Sequence, residues 1–185
     1  MAFIFMVEEP SMKAFLEAFI PRHFSTLTYK IIPHQGKTDL LNSIPRKLKA
    51  WTQPEDCFVI LIDQDSNDCK TLKKEIQNLC VDKPSTLIRI VCKELESWFL
   101  GDLEAVGLAY DVSLQQLQNK AKYRNPDNHQ AFDELKKLLK QKKRSIQKIS
   151  NAGLVGQYMD LNSRNTSISF QAFISGLQHI IDLVP

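Results

Sequence analysis

The sequence predicts an α/β fold: a mainly parallel four-stranded sheet flanked by helices, followed by a C-terminal helical extension. Two observations carry the prediction. Short apolar runs recur through the first hundred residues with amphipathic stretches between them, the pattern of strand–helix–strand crossovers in a mainly parallel sheet. Past about residue 100 the strand signal fades, and helical periodicity alone continues. The expected organisation is an α/β core over residues 1–110 and a helical extension over 111–185 packed back onto it.

Phe3 to Val7 reads as a buried strand. After Pro10-Ser11 a helix follows with Phe15, Leu16 and Phe19 on one face. Leu27 to Ile32 is a second strand stopped by Pro33. Asp39 to Trp51 is helical, with Pro45 expected to kink it or start a new turn. Phe58 to Ile62, FVILI, is apolar on both faces and reads as a central strand. Leu72, Ile76 and Leu79 mark the next helix, and Leu87 to Val91 the fourth strand. Helices are expected over Leu114 to Ala121, Gln130 to Lys142 and Ser169 to Leu183, with a loop between Tyr123 and Asn128 around Pro126.

At 185 residues the chain can bury a core without staples. No apolar run approaches the roughly 20 residues needed to span a bilayer, and the apolar start lacks a basic flank, so a soluble cytoplasmic protein without membrane contact is expected. Cys57, Cys69, Cys80 and Cys92 form no CxxC pair and no zinc-spaced cluster with histidine; they read as reduced thiols. The net charge of +3 is uneven. Residues 1–110 carry 13 Lys+Arg against 15 Asp+Glu, whereas residues 111–185 carry 11 against 6. An acidic front half and a basic tail suit a metal and a phosphate respectively, although a solvated basic helix face explains the tail as well.

The acids of the front half fall at strand ends. Glu8 and Glu9 follow the first strand, Asp63 and Asp65 the FVILI strand, and Glu94 and Glu96 the fourth. The carboxyl ends of parallel strands lie along one edge, where open α/β sheets bind ligands. Carboxylates gathered there repel one another unless a cation joins them, and oxygen ligands favour Mg²⁺ or Mn²⁺ over zinc. Helix capping accounts for any one of these acids but poorly for all three sets. Glu94 and Glu96 cannot be told apart as ligands, since two residues apart they share a face on a strand and diverge on a helix. Trp98 reads as a core anchor for that acidic segment.

Simpler motifs fit less well. His34-Gln35-Gly36-Lys37-Thr38 ends like a phosphate-binding loop, but its first glycine would have to be Ile31. Asp63 to Lys74 starts like a calcium loop, yet holds Asp68 at the glycine position and Lys74 at the final glutamate. A phosphatase of the haloacid-dehalogenase type keeps its strand followed by DxD but meets Asn67 where Thr or Val is wanted.

A glutamate after the first strand and DxD after a later one resemble the Toprim domain of topoisomerases, primases and the overcoming-lysogenisation-defect nucleases. Val7-Glu8-x-Pro10-Ser11, His34-x-Gly36-Lys37, Ile62-Asp63-x-Asp65 and Glu94-Leu95-Glu96-x-Trp98, taken in order, are similar to a family of small prokaryotic Toprim-like proteins, a domain of unknown function. Tyr123-Arg124-x-Pro126-Asp127 and the stretch Asn165 to Phe173 resemble that family's tail, so the similarity spans nearly the whole chain. It implies a Toprim-like core, and it further implies an ABC-type ATPase encoded nearby as partner and a part in phage defence. Two positions depart from the family. Glu9 stands where glycine is usual, and Met12 stands where an acid one turn beyond Glu8 would help hold a second metal. Glu9 or Glu96 would have to substitute.

The expected function is Mg²⁺- or Mn²⁺-dependent cleavage or processing of nucleic-acid phosphodiesters. Asp63 and Asp65 would ligate metal, and Glu8 would act as ligand or general acid/base. Glu94 or Glu96 would complete the site. Lys37 and His34 would contact substrate, Lys37 by stabilising phosphoryl charge. Lys136, Lys140 and Lys143 recur at helical spacing, with Lys137 and Arg144 beside them, and form an expected phosphate track. The alternatives are a non-catalytic subunit of an ATPase complex, favoured by Met12, and a phosphatase acting through Asp63.

Overall fold

The computed structural model describes residues 1–145, 147–161 and 164–183. Four parallel strands, β1 (Phe3–Val7), β2 (Tyr29–Pro33), β3 (Cys57–Asp63) and β4 (Leu87–Val91), form one sheet in the order β2-β1-β3-β4. The two central strands are buried throughout β1 and at all but the first residue of β3, which is why they read as unbroken apolar runs rather than as alternating ones. Helices α1 (Pro10–His23), α2 (Lys37–Ala50) and α3 (Cys69–Leu79) make the three crossovers.

The two faces of the sheet have separate cores. Ile4, Met6, Ile60 and Ile62 point one way, onto Leu40 and Ile44 of α2 and Leu72 and Ile76 of α3. Phe3, Phe5, Val7, Val59 and Leu61 point the other way, onto Phe15, Leu16 and Phe19 of α1 and onto the later helices. Full burial of each large apolar side chain contributes on the order of 1.5–3 kcal/mol, so the helices are held mainly by these faces. The chain thus leaves β1 for one face and β3 for the other, moving outward in opposite directions. The gap between the ends of β1 and β3 is the topological switch point of the sheet.

Beyond β4 come α4 (Glu96–Leu100), α5 (Leu103–Tyr110), α6 (Ala131–Gln141), α7 (Lys148–Gly156) and α8 (Ile168–Asp182). They share the core of α1. Trp98 is fully buried among Phe15, Phe170 and Phe173, and its indole Nε1 donates to Ser169 Oγ at 2.9 Å. Helix α7 lies close against α1 because Gly153 and Gly156 leave no side chain between them; a Cβ on Gly156 would meet the Phe15 carbonyl at 3.0 Å.

Several local expectations need correcting. Leu114 to Ala121 is not an α-helix. It forms 3-10 turns at Gln115–Leu117 and Ala121–Tyr123, because the Gln118 amide takes over backbone bonding by donating to Leu100 O and Tyr123 O and accepting from Leu103 N. Pro45 lies inside one continuous α2, held by buried Leu40, Ile44 and Leu48. Helices α4, α5 and α7 gave no periodic signal. All five residues of α4 are buried, and α7 has the small residues its close packing needs.

Candidate metal centre at the strand ends

Glu8 follows β1, and its backbone is pinned on both sides: its N–H donates to Leu61 O at 3.2 Å and its carbonyl accepts from Gly36 N at 2.9 Å. Gly36 has a φ of 100°, a conformation that glycine alone takes without strain, and this lets the β2–α2 loop fold back onto Glu8. The Glu8 side chain crosses the switch point, where Oε2 accepts from Asp63 N at 2.9 Å. Asp63 ends β3 and is 5% exposed; among the described residues its Oδ1 has no hydrogen-bond partner. Burial pushes its carboxyl well above the ordinary range, and the neighbouring charges of Glu8, Glu9, Glu96 and Asp65 push it further. Burial also raises Glu8, with the Asp63 N–H and Lys37 opposing.

Glu96 is the deepest of the acids, at 0% exposed. Its position follows from Trp98, Phe99 and Leu100, whose insertion into the core draws the first residue of α4 out of water. Neither carboxylate oxygen has a hydrogen-bond partner among the described residues, and burial raises its pKa to about 7 against the pull of Lys148. Glu94 is distinguished from it by position. Half-buried in the β4–α4 loop, Glu94 spends Oε1 as acceptor for Phe132 N at 2.9 Å, which ties the start of α6 to the site.

Asp65 sits in the exposed loop after β3 with a left-handed φ of 52°, and Lys93 opposite it has a φ of 62°. The two loops are laced by Gln64 N to Val91 O, Asp65 N to Lys93 O and Lys93 N to Gln64 Oε1. Lys37, the first residue of α2, reaches across to Asp65 Oδ2 at 2.6 Å. Strained backbone of this kind, stabilised by its surroundings, is characteristic of functional loops.

Other expected residues fall differently. His34 is 3% exposed, so its expected contact with substrate is not available in this packing. Its Nδ1 donates to Val7 O at 2.9 Å and braces the loop behind Glu8. Met12 is fully buried in the α1 core, where no carboxylate could replace it without severe desolvation. Lys136 and Lys140 are exposed on α6, but Lys143 does not share their face. The helix ends at Gln141, and Lys143 takes a φ of 57° in a terminal turn closed by Arg144 N to Leu139 O at 2.9 Å.

One cation escaped the sequence reading. Lys148 opens α7 and faces the acids: desolvation lowers its pKa, but Glu96, Glu9, Glu94 and Asp63 outweigh it and raise the value. Standing beyond the Lys136–Arg144 run, it gave no local signal; only the packing of α7 on α1 brings it here.

The donor set suits a hard divalent cation. All the acids supply oxygen, and three buried carboxylate oxygens on Asp63 and Glu96 lack hydrogen-bond partners among the described residues. Among the described residues no three His, Cys, Asp or Glu groups are already drawn together as a metal cage. Mg²⁺ does not require one, since it usually keeps several waters and takes one or two carboxylates plus a phosphate oxygen.

The C-terminal region of the Burkholderia pseudomallei OLD protein matches this fold with a TM-score of 0.55 over 99% of this chain and 98% of that one, at 20% identity, which shows a shared fold. No curated protein matches significantly. The strand-end acids and the α7 lysine all lie within residues 7–178, the stretch matched by the family model described as a domain of unknown function, DUF4276, and the chain belongs to that family.

Proposed function

We propose that this protein is a Mg²⁺- or Mn²⁺-dependent phosphodiesterase acting on nucleic acid through a Toprim-like site. The observation that carries the reading is the pair of buried carboxylates, Asp63 and Glu96, with unpartnered oxygens at the switch point of the sheet. Keeping such groups dry and unpaired costs several kcal/mol unless a cation or proton joins them. Asp63 and Glu96 would hold the ion, with Glu8 and Asp65 at its margin and Glu94 engaged mainly in bracing α6. When bound, the ion would neutralise charge developing on the phosphoryl oxygens.

The chain's own groups supply the rest. Lys37 and Lys148 both stand beside the acids and would bind the non-bridging oxygens of a scissile phosphate. Lys37 would have to exchange its Asp65 partner for the phosphate. Glu8, held by the Asp63 N–H and raised in pKa by burial, would take a proton from an attacking water. Partnership with an ABC-type ATPase and a part in phage defence are proposed on the sequence resemblance alone.

The test is calorimetric titration with Mn²⁺ and Mg²⁺ alongside cleavage assays on single- and double-stranded DNA and RNA. Metal binding and cleavage abolished together by Asp63→Asn are expected; cleavage that persists in that variant or in chelator overturns the proposal. A second reading, a non-catalytic subunit of an ATPase complex, is favoured by Met12 filling the place of a second acid. It predicts no metal binding at millimolar concentration.

A further inference from the structure

Beside the acids opens a cleft of about 760 Å³, within the ~300–1,000 Å³ range of small-molecule sites. Asp65 and Glu94 line its inner side, and the segment from Asn128 to Asp133 its outer side. We propose that this cleft is a subsite for one unpaired nucleobase, so that the substrate is a single strand, DNA or RNA, and not an intact duplex; the inference rests on the phosphodiesterase reading above.

Two features select a base over a bare phosphate, and a third provides for the phosphate that flanks it. Phe132 is a half-buried aromatic wall at a position of α6 that is followed by the exposed, charged Asp133, and every nucleobase offers a π-face to stack on such a ring. Asn128 and Gln130 supply amide donors and acceptors suited to the edge of a base rather than to an anion. Cations serve the flanking phosphate: Lys148 Nζ lies over the Phe132 ring, 5.6 Å from its centroid, so a stacking base would take its place there and release the ammonium to the phosphate, and Lys93 also lines the cleft.

The coupling to the acids is a direct hydrogen bond. Phe132 N donates to Glu94 Oε1, so the aromatic wall is fixed to the β4–α4 loop that also carries Glu96. A base stacked on Phe132 would bring its flanking phosphate toward Lys148 and the acids. Bases in a duplex show only their edges, and entering this cleft would require unstacking at a cost of a few kcal/mol.

The experiment uses the whole chain in Ca²⁺ with short strands carrying one 2-aminopurine, as DNA, as RNA, and as the blunt DNA duplex. Quenching of the probe and at least about tenfold tighter binding of a strand than of the duplex are expected, with Phe132→Ala losing about tenfold or more on the strand, the range of one stacking contact. Phe132→Trp should retain binding, since the backbone N–H to Glu94 survives either change. If Phe132→Ala does not fold, Asn128→Ala with Gln130→Ala gives the same test on exposed positions. Equal affinity for strand and duplex, an unquenched probe, or wild-type affinity in the folded variants overturns the subsite. Mn²⁺ titration separates the two claims. Metal bound without quenching removes the subsite alone, whereas quenching without metal binding removes the phosphodiesterase reading and leaves the base subsite.

Discussion

The Glu8 carboxylate accepts the backbone N–H of Asp63 at 2.9 Å, which joins the ends of the two central strands through a side chain. That bond positions Glu8 but leaves its other oxygen to the site. Glu8→Gln keeps an oxygen acceptor for the Asp63 N–H and removes only the charge. The expected result is an unfolding midpoint close to wild type, with stability changed by no more than ~0.5 kcal/mol, and metal affinity reduced roughly 10–100-fold. Calorimetry and urea unfolding on the same preparation check both halves. Wild-type metal affinity in this variant would take Glu8 out of the site.

Lys37 and Asp65 are in contact at 2.6 Å, and on the proposed reading this contact would open for a phosphate. Lys37→Met frees Asp65, so metal affinity should hold or rise while turnover falls by roughly 10²–10³, the usual cost of losing one charge-stabilising donor. A parallel loss of metal affinity would instead make the pair a structural brace for the loop after β3.

Glu96 sets the pH dependence. Its carboxyl is raised from 4.5 to about 7 by burial, so between those values the folded chain binds more protons than the unfolded one. Stability without metal therefore falls as pH rises from about 4.5 through about 7, by up to ~3 kcal/mol, and levels above that. Asp63 is raised as well and acts in the same direction. Urea unfolding in chelator from pH 5 to 8 should show this slope, and Glu96→Gln should flatten it while raising stability at pH 8. Added Mg²⁺ should recover stability at pH 8, because it binds the charged form. A curve that rises from pH 5 to 8 would mean that Glu96 is ionised and paired in the free protein.

The tail segment around Asp127 has a structural role that its sequence did not disclose. Asp127 accepts from Ser167 Oγ at 2.6 Å and from Ser169 N at 2.9 Å, while Asn165 Nδ2 donates to Trp98 O at 2.8 Å. These bonds secure the start of α8 against α4, and through Trp98 they fix the depth of Glu96. Asp127→Ala should cost about 2–4 kcal/mol, from losing charge-assisted bonds and leaving buried donors unmet, and should weaken metal binding without touching the site. Urea unfolding measures the first effect and calorimetry the second; an unchanged stability would separate the tail from the Glu96 position.

What was legible in the chain follows from how each feature is encoded. The central strands β1 and β3 are legible because buried parallel strands are continuous apolar runs, and Glu8, Asp63, Asp65, Glu94 and Glu96 are legible because each falls at or shortly after a strand end. Lys148 is not, since its place depends on glycines of α7 seating against α1 far away in sequence. For His34 the sequence leaves two readings, a substrate contact and a histidine packed at a strand end beside Pro33, and its burial, set by the register that places Pro33 beside Val7, fits the second. Helix α4 shows no periodicity because every side is covered.

The basic face of α6 gives the last expectation. Phe132, one residue into α6, is bonded to Glu94, and Lys136 and Lys140 lie about one and two turns further along the same helix. A strand leaving the acids along α6 would pass both lysines. Each phosphate they neutralise adds about 0.7 to the slope of log affinity against log salt for a single strand, so the double variant Lys136→Glu/Lys140→Glu should lower that slope by roughly 1.4 and weaken binding for every sequence. Lys143 belongs to the terminal turn, where its left-handed backbone favours glycine. Lys143→Gly should therefore leave the slope within error of wild type and raise stability slightly. Anisotropy titrations across a salt series, with each variant's thermal midpoint as a fold control, measure both. An unchanged slope in the double variant would remove α6 from the path of the strand, and a large change from Lys143 alone would place the path around the helix end instead.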